Sequence, residues 1–212
     1  GRQGRLRIGL IPYVSAQALQ ATWRHLLSLQ PRLALVVHED TTHNLMQAVR
    51  ERVLDCAICR FSHDSTQDDL VQELLYRQQA YLVVARPSAA LLARRTDLDI
   101  AQLAEMDWIF PPADTPIRHM IDAIFAAAGR QVPEPLVEAY SVRAISSALH
   151  HLPRGVTVLP GDIARTVAAD GFAQVLPQPL PWSLPPVGLA WLRDSPKTAI
   201  AAQLADAVRQ SC

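Results

Sequence analysis

The chain has no surplus of either charge: 20 lysines and arginines stand against 20 aspartates and glutamates in 212 residues. A body without net charge exerts no general pull on DNA or on an anionic membrane, so nucleic-acid binding by bulk electrostatics is excluded for these residues. Cysteine is scarce. Cys56, Cys59 and Cys212 are too few for a disulfide framework in a chain of this size, and they fit a reducing, cytoplasmic setting. No apolar run approaches the roughly 20 residues that a membrane helix needs, so no membrane partner is expected. The opening GRQGRLRIGLIPY lacks the long apolar segment of a secretory signal and enters a strand almost at once, so a preceding segment is expected upstream.

Chemistry-bearing motifs are also missing. There is no G-x-G-x-x-G, no Walker loop, no G-x-S-x-G and no H-E-x-x-H. His25, His38, His43, His63, His119, His150 and His151 show no paired ligand spacing on an expected helix, and His150-His151 reads as a solvated pair at a helix end. No nucleophile stands beside a base. The expectation is therefore no metal, no cofactor and no enzymatic step.

What is present is alternation. RLRIGLI (Arg5–Ile11) reads as a strand, followed by a helix from Ser15 with Leu19, Trp23, Leu26 and Leu27 at helical spacing. LALVVH is a second strand, Thr41-Thr42 are candidate caps for a helix carrying Leu45, Met46 and Val49, and Leu54–Cys59 is a third strand. The order is βαβαβ, with helices long enough for parallel crossovers. Strands at Val71–Tyr76 and Tyr81–Ala85 follow. After Arg86-Pro87 the pattern restarts: a helix at Leu98–Leu103, strands at Asp107–Phe110, Pro135–Tyr140, Gly155–Leu159 and Phe172–Leu176, and helices capped by Thr115 and Ser141. The proline-dense LPQPLPWSLPP reads as a stiff connection. Val187–Leu192 and a terminal helix then return to the first unit. The expected fold class is α/β, two Rossmann-like subdomains joined by two crossover strands. The expected division is 5–85 plus 186–212 against 86–185, with a cleft between the lobes.

Within VLDCAICR, Cys56 and Cys59 are three apart on an expected strand and so point to opposite faces. That geometry disfavours joint metal or redox work, and a buried thiol acts as a small hydrophobe. Arg60, at the carboxyl end of the strand, is either a surface loop arginine or a ligand fork; position alone leaves both open. In open parallel sheets ligands collect at that end. Ser15, Thr42, Thr115 and Ser141 each separate a strand end from a helix start. Singly each is a structural cap. Together they aim helix N-termini, with Arg60, at one place suited to a small anion. Pro116 follows Thr115 at the first helical position, which needs no donor. Arg118 is a second fork or an exposed side chain. Tyr13, Val14 and Phe61 would enclose the rest of the ligand.

In this order, the segments RLRIGLIPYVS, HEDTTHNLMQAVRERVLDCAICR, LLYRQQAYLVVARP, WIFPPADTPIR, GVTVLP and PPVGLAWLRD run from Leu6 to about Val208. The series resembles the effector-binding domain of LysR-type transcriptional regulators, similar in fold to type II periplasmic binding proteins. The resemblance implies that Ser15, Thr42, Arg60, Thr115 and Pro116 line an effector cleft. Arg60 is similar in place to the arginine that holds the anion in members sensing aromatic or other organic acids. It also implies a homodimer to which the Ser15–Leu29 helix contributes, and DNA contact only through a winged helix-turn-helix and linker helix that this sequence does not contain. Two other readings stay open on the same scaffold: a solute-binding protein serving a transporter, and an enzyme.

Overall fold

Short apolar runs separated by capped amphipathic helices give the element order. The first part is β1 (Arg5–Leu10), α1 (Ala16–Ser28), β2 (Ala34–Glu39), α2 (Thr42–Arg50), β3 (Cys56–Arg60) and β4 (Leu70–Tyr76). Then come β5 (Gln79–Ala85), α3 (Arg86–Leu92), α4 (Ile100–Ala104), β6 (Asp107–Phe110), α5 (Pro116–Ala127) and β7 (Val137–Glu138). The chain ends with α6 (Val142–His151), β8 (Gly155–Pro160), α7 (Gly161–Ala168), β9 (Ala173–Ser183), β10 (Val187–Leu192) and α8 (Thr198–Ser211). This computed structural model describes residues 4–29, 32–61, 68–92 and 99–212; Leu98 and His63, singled out above, lie outside them.

The elements form two units, Gly1–Arg77 with Pro185–Cys212, and Gln78–Leu184. The first holds a five-stranded sheet in the order β2-β1-β3-β10-β4. β1 pairs in parallel with β2 and with β3, while β10 runs antiparallel to β3 and to β4. The second holds the order β7-β6-β8-β5-β9, with β6 parallel to β7 and β8, and β5 antiparallel to β8 and β9. The two plans correspond strand for strand. In each, the first βαβ step moves one way from a central strand and the second moves the other way, which makes a topological switch point between β1 and β3, and again between β6 and β8.

The expected boundary at residue 85 is corrected to the Arg77–Gln78 step, because β5 hydrogen-bonds β8 and β9 in the second sheet. Two further segments differ from the sequence reading. Arg86–Leu92 is helical where Arg86-Pro87 suggested a break, since proline is tolerated in a first turn whose N–H groups lack partners anyway. The proline-dense segment is the long strand β9, with Pro177, Pro179 and Pro181 on an edge strand. Prolines at every second position withhold their missing N–H from the same side, so the other side can still pair with β5.

The first core packs Leu6, Ile8, Ile58, Leu189, Trp191, Leu204 and Val208, with α1 laid against α8. Leu27, expected on the inner face of α1, is 62% exposed; Ala18, Ala21, Thr22 and Leu26 turn inward instead. In the second unit Trp108 is buried beside Phe110 and Phe125, with ring centroids 5.0 and 5.7 Å away, and its indole N–H donates to the Leu103 carbonyl at 2.7 Å. No described helix is long and apolar enough to cross a membrane.

Candidate functional site

In the first unit the carboxyl ends of β1, β2, β3 and β4 and the start of β10 share one edge of the sheet, because β4 runs parallel to β3. The loop after β1 leads to Ser15, the N-cap of α1. Its hydroxyl accepts from the Ala18 N–H at 3.1 Å, and its own N–H donates to the Tyr76 hydroxyl at 2.8 Å. Tyr76, which the sequence reading left unremarked, thus ties the end of β4 to the entry of α1. A tyrosine at the last position of a strand was the available signal.

The cap of α2 is Thr41, not Thr42: the Thr41 hydroxyl accepts from the Asn44 N–H at 3.4 Å. Thr42 is the first helical residue, and its hydroxyl accepts the backbone N–H of Arg60 at 3.3 Å, which sets the end of β3 beside the start of α2. Adjacent threonines make either a chemically sound cap, so only backbone geometry separates them. Asp40 also sits here. One of its oxygens takes the Thr41 N–H at 2.7 Å and the Asn44 amide at 2.8 Å, so the positive end of α2 already carries a carboxylate. The end of α1 has no acidic residue in its first turn.

Arg60 closes β3 and is 3% exposed, which removes the surface-loop reading. Its Nη1 donates to the Pro185 carbonyl at 2.8 Å. Phe61 follows, its N–H held by the Pro186 carbonyl at 3.1 Å and its ring lying on Gly188. A Cβ at Gly188 would stand 2.1 Å from that ring and 2.6 Å from the Glu73 carbonyl, so only glycine admits the aromatic there. Tyr13 and Val14, expected to wrap a ligand, are core residues at 1% and 3% exposure.

The second unit repeats the edge at the carboxyl ends of β6 and β8. Thr115 caps α5 and is buried; its hydroxyl donates to the Pro112 carbonyl at 2.7 Å and accepts the Arg118 N–H at 3.4 Å. Pro116 follows at the start of the helix. Arg118 is neither a surface side chain nor a ready fork: it pairs with Asp122 at 2.9 Å and lies 4.6 Å over the Phe110 ring. Ser141 caps α6 at a long 3.5 Å. The structure thus gathers Ser15, Thr42 and Arg60 on one edge of the first unit, and Thr115 and Pro116 on the corresponding edge of the second.

In open α/β sheets, switch-point edges of this kind are where ligands collect. A family model, the LysR substrate binding domain, matches residues 1–212. This chain belongs to the LysR substrate-binding domain family. Among curated proteins, the LysR domain is similar to the HTH-type transcriptional regulator GbpR of Azospirillum brasilense, 28% identical over 208 residues that cover 95% of this chain and 60% of the relative. The chain thus spans less than two thirds of that relative's length. Among solved structures, the reduced regulatory domain of OxyR2 from Vibrio vulnificus matches with a TM-score of 0.78 at 20% identity, covering 99% of this chain and 96% of the other. The effector binding domain of QuiR in complex with shikimate matches with a TM-score of 0.77 at 20% identity, covering 99% and 97%. The fold is therefore the periplasmic-binding-protein-like α/β fold of these regulatory domains, and the chain is an effector-binding domain of the LysR type.

The thiols of the LysR domain lie in its first core. Cys56 and Cys59 are 1% and 0% exposed on β3, and burial pushes each thiol up to about 12, with small additions from Asp55 at the first and Cys56 at the second. Cys59 Sγ lies 3.5 Å from Met46 Sδ. Both are neutral packing groups at neutral pH, since only a thiolate ligates metal or attacks a disulfide.

Proposed function

We propose that the LysR domain is the sensory part of a transcriptional regulator and that its effector is a small organic anion held by Arg60. The observation carrying this reading is the placement of a buried guanidinium at the carboxyl end of β3, on the same edge as the N-termini of α1 and α2. A guanidinium forks onto a carboxylate with two charge-assisted hydrogen bonds, and the α1 N-terminus, which unlike that of α2 carries no carboxylate, adds N–H groups and a positive dipole end. Ser15 and Thr42 complete the proposed lining on that edge of the first unit, and Thr115 and Pro116 are proposed as effector-binding residues on the corresponding edge of the second. Thr115 acts through the α5 N-terminus it organises, because its own hydroxyl is committed to Pro112. The solved QuiR domain, whose ligand is shikimate, supports an organic acid as the ligand class.

In the whole protein a DNA-binding domain would precede these residues, two copies would pair as a homodimer, and the regulator would work in the cytoplasm without catalysing a reaction. The effector transmits a signal only if it binds two arrangements unequally. The test is a thermal-shift screen with carboxylic acids, sugars and sulfonates, followed by isothermal titration of the hits. A ligand that binds only the folded form raises its melting point. Arg60→Lys keeps the charge but loses the fork, and weakens a carboxylate hit by about tenfold, or about 1.4 kcal/mol. Unchanged affinity in a folded Arg60→Lys protein would reject the arginine's role.

A further inference from the structure

Three strands of the first sheet end in one row: Arg60 of β3 lies opposite Val187 of β10, and Val187 lies opposite Tyr76 of β4. Directly opposed residues put their side chains on one face, and neighbouring strands stand about 4.8 Å apart. A guanidinium and a phenol therefore flank a buried valine, with their backbones roughly 10 Å apart. The face they share is that of α1. Cys59 Sγ meets Met46 of α2, so Arg60, one residue on, turns away from α2. The steps from β1 to β2 and from β2 to β3 move in opposite directions across the sheet, and right-handed crossovers then put α1 on the face opposite α2.

Tyr76 fastens the start of α1 to this row, because its hydroxyl accepts the Ser15 N–H at 2.8 Å. The sheet order is β1-β3-β10-β4, so that bond draws the entry of α1 across the ends of β3 and β10. Four N–H groups at a helix start lack partners within the helix. Here Ser15 gives its own to Tyr76, and Ala18 gives its own to the Ser15 hydroxyl. Those of Ala16 and Gln17 find no acceptor among the described residues. We propose that Tyr76 is a positioning residue of the anion site: its hydroxyl holds the α1 N-terminus at the Arg60 row, so that the dipole end and the guanidinium act on one anion. The proposal rests on the reading of Arg60 as the anion holder and lies wholly within the first unit.

Isothermal titration of the 212-residue chain with three acids and their amides tests this: benzoate against benzamide, nicotinate against nicotinamide, and gluconate against gluconamide. In at least one pair the acid binds at least about tenfold more tightly than the amide. Tyr76→Phe keeps the ring and removes the tie; it lowers that ratio at least about threefold and leaves the amide affinity unchanged. A second variant reads the same bond from its donor. Ser15 has φ −62°, which suits proline, so Ser15→Pro deletes the N–H and the cap hydroxyl, whereas Ser15→Ala deletes the hydroxyl alone. Tyr76→Phe lowers the ratio further in the Ser15→Ala protein and not in the Ser15→Pro protein. A ratio unchanged in folded Tyr76→Phe, or acid and amide weakened alike, overturns the assignment. Arg60→Lys separates the two readings. A ratio that falls in Tyr76→Phe but not in Arg60→Lys leaves the helix end as the anion holder and removes the arginine, and the reverse pattern removes Tyr76 alone. If no acid outbinds its amide, both readings fail.

Discussion

Asp55 shows how much one side chain can fix. Its carboxylate accepts the Arg7 backbone N–H at 2.7 Å and the Arg7 guanidinium at 3.0 Å, while its own N–H donates to the Arg7 carbonyl at 2.8 Å. These bonds sit just before Cys56 and set the register of β3 on β1. Burial by itself would raise the Asp55 carboxyl, but the hydrogen bonds from the Arg7 side chain and backbone, with the Lys197 and Arg7 charges, outweigh it and hold the group below its ordinary value. A carboxyl lowered in the folded state contributes stability above its unfolded pKa and loses it as pH falls through the folded one. Asp55→Asn is expected to cost about 1–2 kcal/mol at neutral pH, and the gap from the parent protein to close below about pH 4. Urea midpoints measured from pH 7 down to 3 check this; a gap that widens in acid would contradict it. The thiols give a second residue-scale test. In the native protein iodoacetamide should label Cys212, which is exposed, while Cys56 and Cys59 stay unlabelled until urea unfolds the chain. Rapid native labelling of either would mean that β3 opens readily.

At the scale of elements, caps and edges matter most. Thr115→Ala removes a buried hydroxyl that serves both the first turn of α5 and the Pro112 carbonyl, and should cost about 1–2 kcal/mol. Ser141→Ala removes a long bond from an exposed serine and should cost about 0.5 kcal/mol or less; melting curves rank the two, and equal losses would refute the difference in cap strength. The strands and helices were largely legible from period and caps: GVTVL, which the structure extends by Pro160, DWIF and the helix after Thr115 stand where pattern placed them. β9 was hidden because its prolines, read as breakers, are harmless on an edge, and nothing local reveals that a segment will lie at an edge. The candidate site was legible as residue types at junctions. Their hydrogen-bond partners were not: the exchange of Thr42 for Thr41, and the ties of Ser15 to Tyr76 and of Arg60 to Pro185, are made across 61 and 125 residues of chain. His150 and His151 are exposed, as read; the stacking of His150 on Phe172, centroids 3.5 Å apart, is a long-range contact that local pattern does not reveal.

At the scale of the molecule, the same five-strand plan is written twice, but the chain serves the two copies unequally. Unit 2 is the continuous segment Gln78–Leu184, whereas unit 1 takes β10 and α8 from beyond it. The sequence could not mark the crossing at Arg77–Gln78, because β4 and β5 are separated by two residues and look like a hairpin, yet they pair in different sheets. The asymmetry has a measurable consequence. β10 lies between β3 and β4, and with α8 it supplies Leu189, Trp191, Leu204 and Val208 to the first core. A chain ending at Leu184 leaves β3 and β4 without the strand that joins them and strips the apolar cover from that sheet. Unit 2 loses none of its own strands. Hydrogen exchange of the shortened chain should therefore show β1 and β3 amides exchanging freely while β5 and β8 amides stay protected, since protection follows the local cooperative unit. The segment 78–184 alone should also melt cooperatively. Protected β1 amides without β10 would show that the first sheet does not depend on that strand, and protection lost in both sheets together would show that the two units unfold as one.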